Sequence, residues 1–220
     1  MSSGASGNLV VLCDFDGTIV ELDTGEFVLR RFTSGGWMEL NDQLARHEIT
    51  LEECIKGQFS LVKTTEPMIL EEVEKVASFR PNFGNLVDCC ISNGLRLIVA
   101  SAGLDFCIRR LLDRGGWLEY LEIQAPRAEC TPSGIRLTFP RLNCPESENF
   151  KDDLVRSFKA QGKRVIYIGD GLADLQAVKN ADFPFAIQGS RLARLCRDEG
   201  IPHQELADFA EVISAIKQNN

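Results

Sequence analysis

The chain has 220 residues, of which 44% are hydrophobic and 25% charged, and its formal net charge is −8. This length suits one large domain, or a main domain with a smaller inserted one, and the composition is that of an ordinary globular protein. The negative charge argues against nucleic acid or an anionic membrane surface as a general partner. No apolar run approaches the ~20 residues that span a membrane.

Eight cysteines are scattered along the chain, without a CxxC pair and with only two histidines beside them. A structural zinc site would need paired ligand spacing, so the sequence does not favour one. Several of the cysteines lie in apolar runs, where a free thiol behaves as a small hydrophobic side chain. We therefore expect reduced thiols and a cytoplasmic protein. Residues 1–7 (MSSGASG) are predicted to form a flexible leader rather than a signal peptide.

Four short apolar runs predict buried strands, at residues 9–15, 95–100, 165–168 and 183–187. Helical patterns lie between or beside the later runs, at residues 104–112, 150–158 and 172–178. Strands that alternate with helices predict an α/β fold, with a Rossmann-like parallel sheet and helices on both of its faces. Ligands of such sheets bind beyond the carboxyl ends of the strands.

The stretch between the first two strands is too long for a single crossover and has a helical pattern. Thr50 and Glu53 form a capping-box pattern, and a second helix is expected near residues 69–79, before Pro81. We predict a helical cap at residues 20–85, inserted into a core of residues 8–19 and 86–217. Its place above the strand ends favours a lid that excludes water, with a purely structural elaboration as the alternative.

A second, smaller insertion is predicted at residues 121–142. A turn signal at residues 131–134 separates two extended segments, which is typical of a β-hairpin. Cys130 and Cys144 flank part of this segment, and the sequence leaves open whether they meet.

Two aspartates end the first strand, in the segment LCDFDGT. Asp14 and Asp16 would repel each other at this distance, and Gly17 permits the chain to bend there. A divalent cation removes the conflict, and Mg²⁺ prefers a few carboxylates together with phosphate oxygens. Asp170, at the end of VIYIGD, supplies a further carboxylate, and Asp174 follows it by one helical turn.

Two other residues point to an anionic ligand. Ser101 ends its strand, and with the backbone N–H groups of Ala102 and Gly103 it forms a candidate anion cradle. Lys151 lies in the first turn of a predicted helix, where a positive charge opposes the helix dipole. Alone, Ser101 would be an ordinary helix cap and Lys151 a solvated surface residue. Together with the aspartates at the strand ends, and in this order along the chain, Ser101 and Lys151 are better interpreted as ligands of an anion.

The segments DFDGT, SAG and GDGLAD, with a lone lysine between the last two, resemble the four motifs of the haloacid dehalogenase superfamily. The resemblance extends from residue 9 to about residue 213, and the helical insertion lies where that superfamily carries its type-one cap. It implies a Mg²⁺-dependent phosphatase in which Asp14 attacks phosphorus and Asp16 is the general acid and base.

The resemblance also assigns roles to the remaining motif residues. Asp14, the backbone carbonyl of Asp16 and Asp170 would hold Mg²⁺. The other assignments are Ser101 and Lys151 for the phosphoryl charge, Thr18, Ala102 and Gly103 for the phosphoryl oxygens, and Asp174 for support of Lys151 or the metal. Asp16 distinguishes phosphate-ester hydrolysis from dehalogenation, because the dehalogenases lack this acid.

The substrate is less well defined by sequence. Asp23 lies where phosphoserine phosphatases carry a glutamate for the substrate ammonium, but their cap arginine has no evident counterpart. The segments SAGLDFCIRRLL and FAIQGSRLARLCRDEGIPH are similar to the methionine-salvage phosphatases that act on a hydroxy-keto-methylthiopentenyl phosphate. We interpret that similarity as kinship rather than a shared substrate, because a cysteine-rich stretch before the lysine is missing.

The predicted function is hydrolysis of a small phosphorylated metabolite by a monomer or homodimer, with an amino-alcohol phosphate or a methionine-salvage phosphate as the candidate substrates. Residues 19–82 hold twelve acidic and seven basic side chains, which mildly favours a substrate with a cationic end, although a solvated acidic surface explains the excess equally well. A non-catalytic or regulatory protein of the same fold and a phosphomutase are the alternatives.

Overall fold

The main architectural element is a six-stranded parallel sheet. The computed structural model describes residues 8–219, so the predicted leader, residues 1–7, lies outside the described residues. The strands in residues 8–219 are β1 (Leu9–Cys13), β2 (Arg96–Ala100), β3 (Glu122–Gln124), β4 (Arg127–Thr131), β5 (Gly134–Thr138), β6 (Arg164–Gly169), β7 (Phe183–Ile187) and β8 (Gln204–Leu206). β4 and β5 form a separate antiparallel pair, and the other six strands form the parallel sheet. The sheet has the order β3-β2-β1-β6-β7-β8, with every neighbouring pair parallel. The predicted α/β fold is confirmed.

Helices cover both faces of this sheet. They are α1 (Thr24–Phe32), α2 (Trp37–Ala45), α3 (Leu51–Ser60), α4 (Glu66–Val76), α5 (Phe83–Ser92), α6 (Asp105–Arg114), α7 (Phe150–Ala160), α8 (Leu175–Asn180), α9 (Arg191–Asp198) and α10 (Ala210–Asn219). Side chains of β1 point alternately to the two faces, so Val11 packs with α5, α6 and α10, while Leu12 packs with α7, α8 and α9. Both are fully buried, which explains why β1 is a continuous apolar run.

The four predicted strands are present within one or two residues of their expected ends. The short edge strands β3 and β8 were not predicted. Each has three residues and is at least partly exposed, so neither carries an apolar run that could be recognised in the sequence.

Helices α1 to α4 occupy the segment predicted as a cap. The capping box at the start of α3 is confirmed: Thr50 accepts a hydrogen bond from the N–H of Glu53, whose side chain accepts one from the N–H of Thr50. The connections into and out of this segment pair through an antiparallel bridge between Val20 and Phe79. The division of the chain into core and cap stays a prediction.

The antiparallel pair β4–β5 is shorter than the predicted hairpin segment. Residues 122–124 of that segment form β3 and pair with β2, because they continue the main sheet at its edge. The hairpin contacts the helical segment at Gly134, where a Cβ atom would lie 1.9 Å from the backbone oxygen of Ser60. Cys130 and Cys144 are both free thiols, as are the other six cysteines. None of the helices in residues 8–219 is long and apolar enough to cross a membrane.

Candidate active site

The predicted site residues converge at the carboxyl edge of the parallel sheet. Asp14 follows β1, Ser101 follows β2 and Asp170 follows β6, and these three strands are neighbours in the sheet. Lys151 reaches the same edge from the first turn of α7, which is capped by Asn149. The sheet order therefore brings together residues that are far apart in the chain.

Asp14, Lys151 and Asp174 form a buried ion cluster. The Nζ atom of Lys151 lies 2.9 Å from Oδ1 of Asp14 and 2.7 Å from Oδ1 of Asp174. Lys151 is 2% exposed, Asp14 6% and Asp174 0%. A surface lysine would lie in solvent, so the structure excludes that alternative. Burial opposes the charge of Lys151, but the two carboxylates outweigh burial and raise its pKa.

All the acceptor capacity of Asp174 is used within the protein. Its Oδ1 accepts from Lys151 and from the hydroxyl of Tyr167, 2.7 Å away, and its Oδ2 accepts from the N–H groups of Asp170 and Gly171 at 3.1 and 2.9 Å. Burial opposes ionisation of Asp174, but Lys151 lowers the pKa of this carboxyl below its usual range. Because a carboxylate has about four acceptor positions, Asp174 is suited to orienting Lys151 rather than to binding a ligand.

Asp16 lies opposite this cluster and is partly exposed. Its Oδ1 accepts from the N–H of Thr24 at 2.9 Å and from the Thr24 hydroxyl, and its Oδ2 lies 3.4 Å from Oγ of Ser101. Burial, followed by the charge of Asp23, raises the pKa of Asp16 to about 6, against the bonds from Thr24. A carboxyl with this pKa can hold or release a proton near neutral pH.

Gly17 and Gly103 leave space for the acidic side chains. Gly17 has φ +68°, and a Cβ there would lie 2.3 Å from Oδ2 of Asp170. At Gly103 a Cβ would lie 2.4 Å from Oδ2 of Asp16. A larger residue at either position would displace a carboxylate of the site.

The hydroxyl of Thr18 faces Asp170, with its Oγ1 3.5 Å from Oδ1 of that carboxylate. Thr18 is fully buried, and its placement favours support of Asp170, so direct contact with a phosphoryl group stays a prediction. Burial, followed by the charge of Asp174, raises the pKa of Asp170 to about 7.

The expected anion cradle differs from the prediction in one respect. Helix α6 begins at Asp105, within one residue of its predicted start, but the N–H of Gly103 donates to Oγ of Ser101 at 3.0 Å and is not free for an anion. Ser101 therefore closes a tight turn instead of capping the helix. No partner for the N–H of Ala102 is found among residues 8–219, so that donor remains available to an anion.

Three carboxylates are arranged as a possible cation site. Oxygen atoms of Asp14, Asp170 and Asp174 all lie within 4.8 Å of one another. Burial, followed by the charge of Asp174, raises the pKa of Asp14 well above its usual value, although Lys151 opposes the shift. Ionised carboxylates at this spacing repel one another, so the arrangement suits a hard divalent cation with oxygen ligands.

Arg80 holds the loop that carries Asp16, Gly17 and Thr18, and no sequence pattern indicated this role. Its guanidinium donates to the backbone oxygens of Thr18 and Gly17, both at 2.8 Å, and lies 3.4 Å from the oxygen of Ala207. Its own N–H donates to the oxygen of Ile19 at 2.8 Å. Arg80 is thus a positioning residue behind Asp16 and Asp170.

Replacement of Arg80 by lysine is expected to lower kcat by about tenfold to a hundredfold, because a small displacement of reacting groups has effects of that size. Lysine retains the charge but cannot donate to both carbonyls from one planar group. The measurement is steady-state kinetics together with thermal unfolding. Arg109→Lys, an exposed arginine on α6, is the matched control and should be unchanged. An unchanged kcat in Arg80→Lys would contradict the positioning role.

A cleft of about 1360 Å³ opens above the site. Its floor includes Asp14, Asp16, Ser101, Lys151 and Asp170, and its other walls come largely from α1, α2 and α3. Asp23 lines the cleft but is exposed and caps α1, with its Oδ1 2.7 Å from the N–H of Glu26. Its predicted contact with a substrate stays a prediction.

Comparison with known proteins assigns the chain to a protein family. A model of haloacid dehalogenase-like hydrolases matches residues 11–179, which include all the motif residues described above. The chain belongs to the haloacid dehalogenase-like hydrolases. The motif prediction of this superfamily is confirmed.

Curated relatives and solved structures agree with this family. A 2-hydroxy-3-keto-5-methylthiopentenyl-1-phosphate phosphatase of Geobacillus kaustophilus is 29% identical over 215 residues, covering 96% of each chain. A protein of the same name from Bacillus velezensis is 30% identical over 217 residues, covering 94% of this chain and 89% of its own. A phosphoserine phosphatase with a phospho-aspartyl intermediate analogue superposes with a TM-score of 0.70 at 17% identity, covering 95% of this chain and 98% of its own. The chain is a phosphatase of the haloacid dehalogenase family.

Sequence reasoning about this family member missed the residues that support its motifs. Tyr167 binds Asp174 and Thr24 binds Asp16. Arg80 binds the backbone of the loop that follows Asp16. Tyr167 left a faint signal, as a hydroxyl-bearing side chain in an otherwise aliphatic strand. Thr24 and Arg80 left none, because their partners are backbone or side-chain atoms brought near only by folding.

Proposed function

We propose that this haloacid dehalogenase-family phosphatase is a Mg²⁺-dependent phosphomonoesterase of small metabolites, with a methionine-salvage hydroxy-keto phosphate as its substrate. The observation that carries the proposal is the pairing of Asp14 with buried Lys151 on one side of the cleft floor and Asp16 with Ser101 on the other. This arrangement supports the roles we propose around one small volume, with Asp14 as nucleophile, Lys151 as cation and Asp16 as proton donor.

In the first step an oxygen of Asp14 attacks phosphorus, and the bond from phosphorus to the ester oxygen breaks. Asp16 gives its proton to the departing oxygen, and its pKa of about 6 is suited to that transfer. Asp16 then accepts a proton from water, whose oxygen attacks phosphorus and breaks the bond to Asp14. Inorganic phosphate is released, and both aspartates return to their starting states.

Lys151 and Ser101 stabilise the charge on the phosphoryl oxygens during both steps. Asp174 and Tyr167 hold Lys151 in place by the hydrogen bonds described above. The N–H of Ala102 is a further donor for a phosphoryl oxygen. Gly103 contributes mainly the space that Asp16 needs.

The donor set fits Mg²⁺. Asp14 and Asp170 offer hard oxygen ligands, and their negative charges lie close enough to repel each other without a cation. The backbone oxygen of Asp16 is the third ligand that we assign. When bound, the cation supplies charge neutralisation for the carboxylates and the phosphate. Asp174 lies beside this set but is saturated by its four donors.

The substrate is proposed from the relatives and from the charges of the cleft. Relatives that match nearly the whole chain are named for 2-hydroxy-3-keto-5-methylthiopentenyl-1-phosphate. Within residues 20–85 of the structure, no lysine or arginine lines the cleft, so that wall offers no strong partner for the carboxylate of phosphoserine. The overlap with phosphoserine phosphatases supports the fold alone.

The same proposal treats residues 20–85 as a cap over the core. Helices α1 to α3 form the cleft wall opposite the acidic floor, and the paired connections at Val20 and Phe79 are the point about which the cap can move. A cap in this position excludes water from the aspartyl-phosphate.

The test is phosphate release from 2-hydroxy-3-keto-5-methylthiopentenyl-1-phosphate, phosphoserine and p-nitrophenyl phosphate, with Mg²⁺ and with EDTA. We expect Mg²⁺-dependent hydrolysis, fastest for the first ester. Mg²⁺ at a hundred times its Kd should also stabilise the fold by about 2.7 kcal/mol, measured by thermal unfolding. Asp170→Asn should lose both effects.

Other outcomes of this test decide against the proposal. Activity that is unchanged by EDTA would refute the metal assignment. Phosphoserine as the best ester would refute the substrate. No turnover of any ester would favour a non-catalytic binding protein, and an isomeric phosphate ester as product would favour a phosphomutase.

A further inference from the structure

The wall opposite the catalytic aspartates contains a pair of neutral amides. Gln58 on α3 is 8% exposed, and its Nε2 donates to Oδ1 of Asn41 on α2 at 2.9 Å and to the backbone oxygen of Trp37 at 3.3 Å. Both amides line the same cleft as Asp14. They are far from the motif residues in sequence, and no step of the proposed mechanism uses them.

Hydrogen-bond accounting leaves one acceptor and one donor of this pair unused. The backbone oxygen of Trp37 can only accept, so the Gln58 atom that faces it is Nε2, and Oε1 is the remaining acceptor. Oδ1 of Asn41 accepts from Gln58 and lies 3.8 Å from Sγ of Cys54, which leaves its Nδ2 as a donor. Neither Gln58 Oε1 nor Asn41 Nδ2 has a protein partner in residues 8–219. Asn41 is exposed, Gln58 Oε1 is not a fully buried atom, and both residues line the cleft, so a ligand there can reach them.

The acidic residues of this wall are already engaged. Four carboxylates from α1 to α3 and their connections line the cleft, each with a partner close in sequence. The pairs are Asp23 with the N–H of Glu26 (2.7 Å), Glu26 with Arg30 (2.6 Å), Glu48 with Arg46 (2.7 Å) and Glu53 with the N–H of Thr50 (2.8 Å). These four carboxylates act as helix caps or ion-pair partners, which supports the alternative explanation of the acidic excess, and the preference for a cationic substrate stays a prediction.

We infer that the Asn41–Gln58 pair is the specificity site for the organic part of the substrate, and that it binds a neutral hydroxyl and carbonyl on neighbouring atoms. The hydroxyl donates to Oε1 of Gln58, and the carbonyl accepts from Nδ2 of Asn41. Trp37 and Phe59, both buried and lining the cleft, provide apolar surface for the remainder of the molecule. This inference rests on the proposed phosphatase function and extends it to named residues.

Gln58 is buried but Asn41 is exposed, so water satisfies the free Nδ2 of Asn41 until a ligand displaces it. A bound ester that excludes this water without pairing with the amides leaves them unsatisfied, and this is the origin of the selectivity. Leaving such a group unsatisfied costs about 1–3 kcal/mol, which corresponds to roughly 10- to 100-fold in binding. An ester without the hydroxyl and carbonyl should therefore bind about 10- to 100-fold more weakly. An ester with a carboxylate finds no lysine or arginine in this wall to pair with.

Asn41→Asp tests the pair with the least structural change. The variant keeps the oxygen that accepts from Gln58 and replaces only the free Nδ2 donor by an oxygen. We expect kcat/KM for 2-hydroxy-3-keto-5-methylthiopentenyl-1-phosphate to fall about 10- to 100-fold, mainly through KM. The value for p-nitrophenyl phosphate, which has neither group but carries the same phosphate charge, should stay within about twofold.

Gln43→Glu is the matched control, because it adds the same charge on the same helix outside the cleft lining. Its kinetics should equal those of the unsubstituted protein for both esters. Equal losses for both esters in Asn41→Asp, or no loss for either, would overturn the inference.

Calorimetric binding of the hydroxy-keto ester separates this inference from the catalytic proposal. In an Asp14→Asn background, Asn41→Asp should weaken the Kd by about tenfold or more even without turnover. An unchanged Kd refutes the amide pair alone. Turnover by Asp14→Asn itself refutes the catalytic assignment and leaves the binding comparison intact.

Discussion

Asp14→Asn is expected to reduce phosphate release from p-nitrophenyl phosphate by at least about 10⁴-fold, because loss of a covalent nucleophile has effects of this size or larger. The asparagine is isosteric, so it preserves the volume of the side chain and the acceptor for the N–H of Phe15, which lies 2.7 Å from Oδ1. What it removes is the anionic oxygen that attacks phosphorus. The measurement is initial-rate kinetics with Mg²⁺, together with circular dichroism to verify the fold.

Asp88→Asn is the matched control for that variant. Asp88 is an exposed aspartate on α5, away from the carboxyl edge of the sheet, and its loss should leave the rate unchanged. Mass spectrometry provides a second test. A phosphorylated intermediate on the unsubstituted protein that is absent from Asp14→Asn would support Asp14 as the nucleophile. Substantial turnover by Asp14→Asn would refute Asp14 as the nucleophile.

Lys151→Met is expected to impair both catalysis and folding. Methionine matches the length of the lysine stem but leaves Asp14 and Asp174 without the cation that lies 2.9 and 2.7 Å from them. Breaking a buried ion pair in this way costs about 3–5 kcal/mol. With a fall of about 2–4 °C in Tm per kcal/mol at this chain length, the loss is readily measured by thermal unfolding. The rate should fall about 10²- to 10³-fold, because a donor to the phosphoryl oxygens is lost.

The stability deficit of Lys151→Met should depend on pH in a defined direction. Without the lysine, burial raises the pKa of Asp14 further above its unfolded value, and the pKa of Asp174, which Lys151 holds below its usual range, rises as well. A carboxyl of that kind binds more protons when folded, so stability is gained as pH falls. The difference in Tm from the unsubstituted protein should therefore shrink between about pH 8 and about pH 5. A deficit that is constant with pH would contradict the assignment of its cause.

Lys159→Met provides the comparison for this prediction. Lys159 is on the same helix but is largely solvated, with its Nζ 3.1 Å from Asp182. Exposed ion pairs contribute at most about 1 kcal/mol, so this variant should show a small change in Tm and no pH-dependent deficit of the same size. Equal deficits in both lysine variants would mean that burial of the cluster is unimportant.

The elements that sequence predicted well are those whose physical cause is local. Strands β1, β2, β6 and β7 are buried on both faces, and a strand in that environment must be apolar throughout, which makes it visible in the sequence. The turn at Gly17 and the capping box at Thr50 also depend on nearby residues only. The polar residues at the strand ends could be grouped because the fold class itself fixes where those ends meet.

What could not be predicted depends on contacts across the fold. The edge strands β3 and β8 are too short and too exposed to have a pattern. The helix after Ser101 begins within one residue of its predicted start, but the hydrogen bond from the N–H of Gly103 to Oγ of Ser101 was not predicted. The Asn41–Gln58 pair joins two helices whose relative packing no local pattern encodes. The substrate could not be predicted for the same reason, since a count of charges does not reveal which side chains line the cleft and which are already paired.

The antiparallel bridge between Val20 and Phe79 has an evolutionary consequence. The bridge brings the two ends of residues 20–79 together, so this single segment of the chain can be exchanged with both of its junctions at one place. Where Thr24 is kept to bind Asp16, we expect exchange, lengthening or shortening of that segment to leave β1, the sheet order and the acidic floor unaltered. The reaction chemistry and the choice of molecule can therefore diverge independently, the first held constant while the second changes by recombination of a single segment.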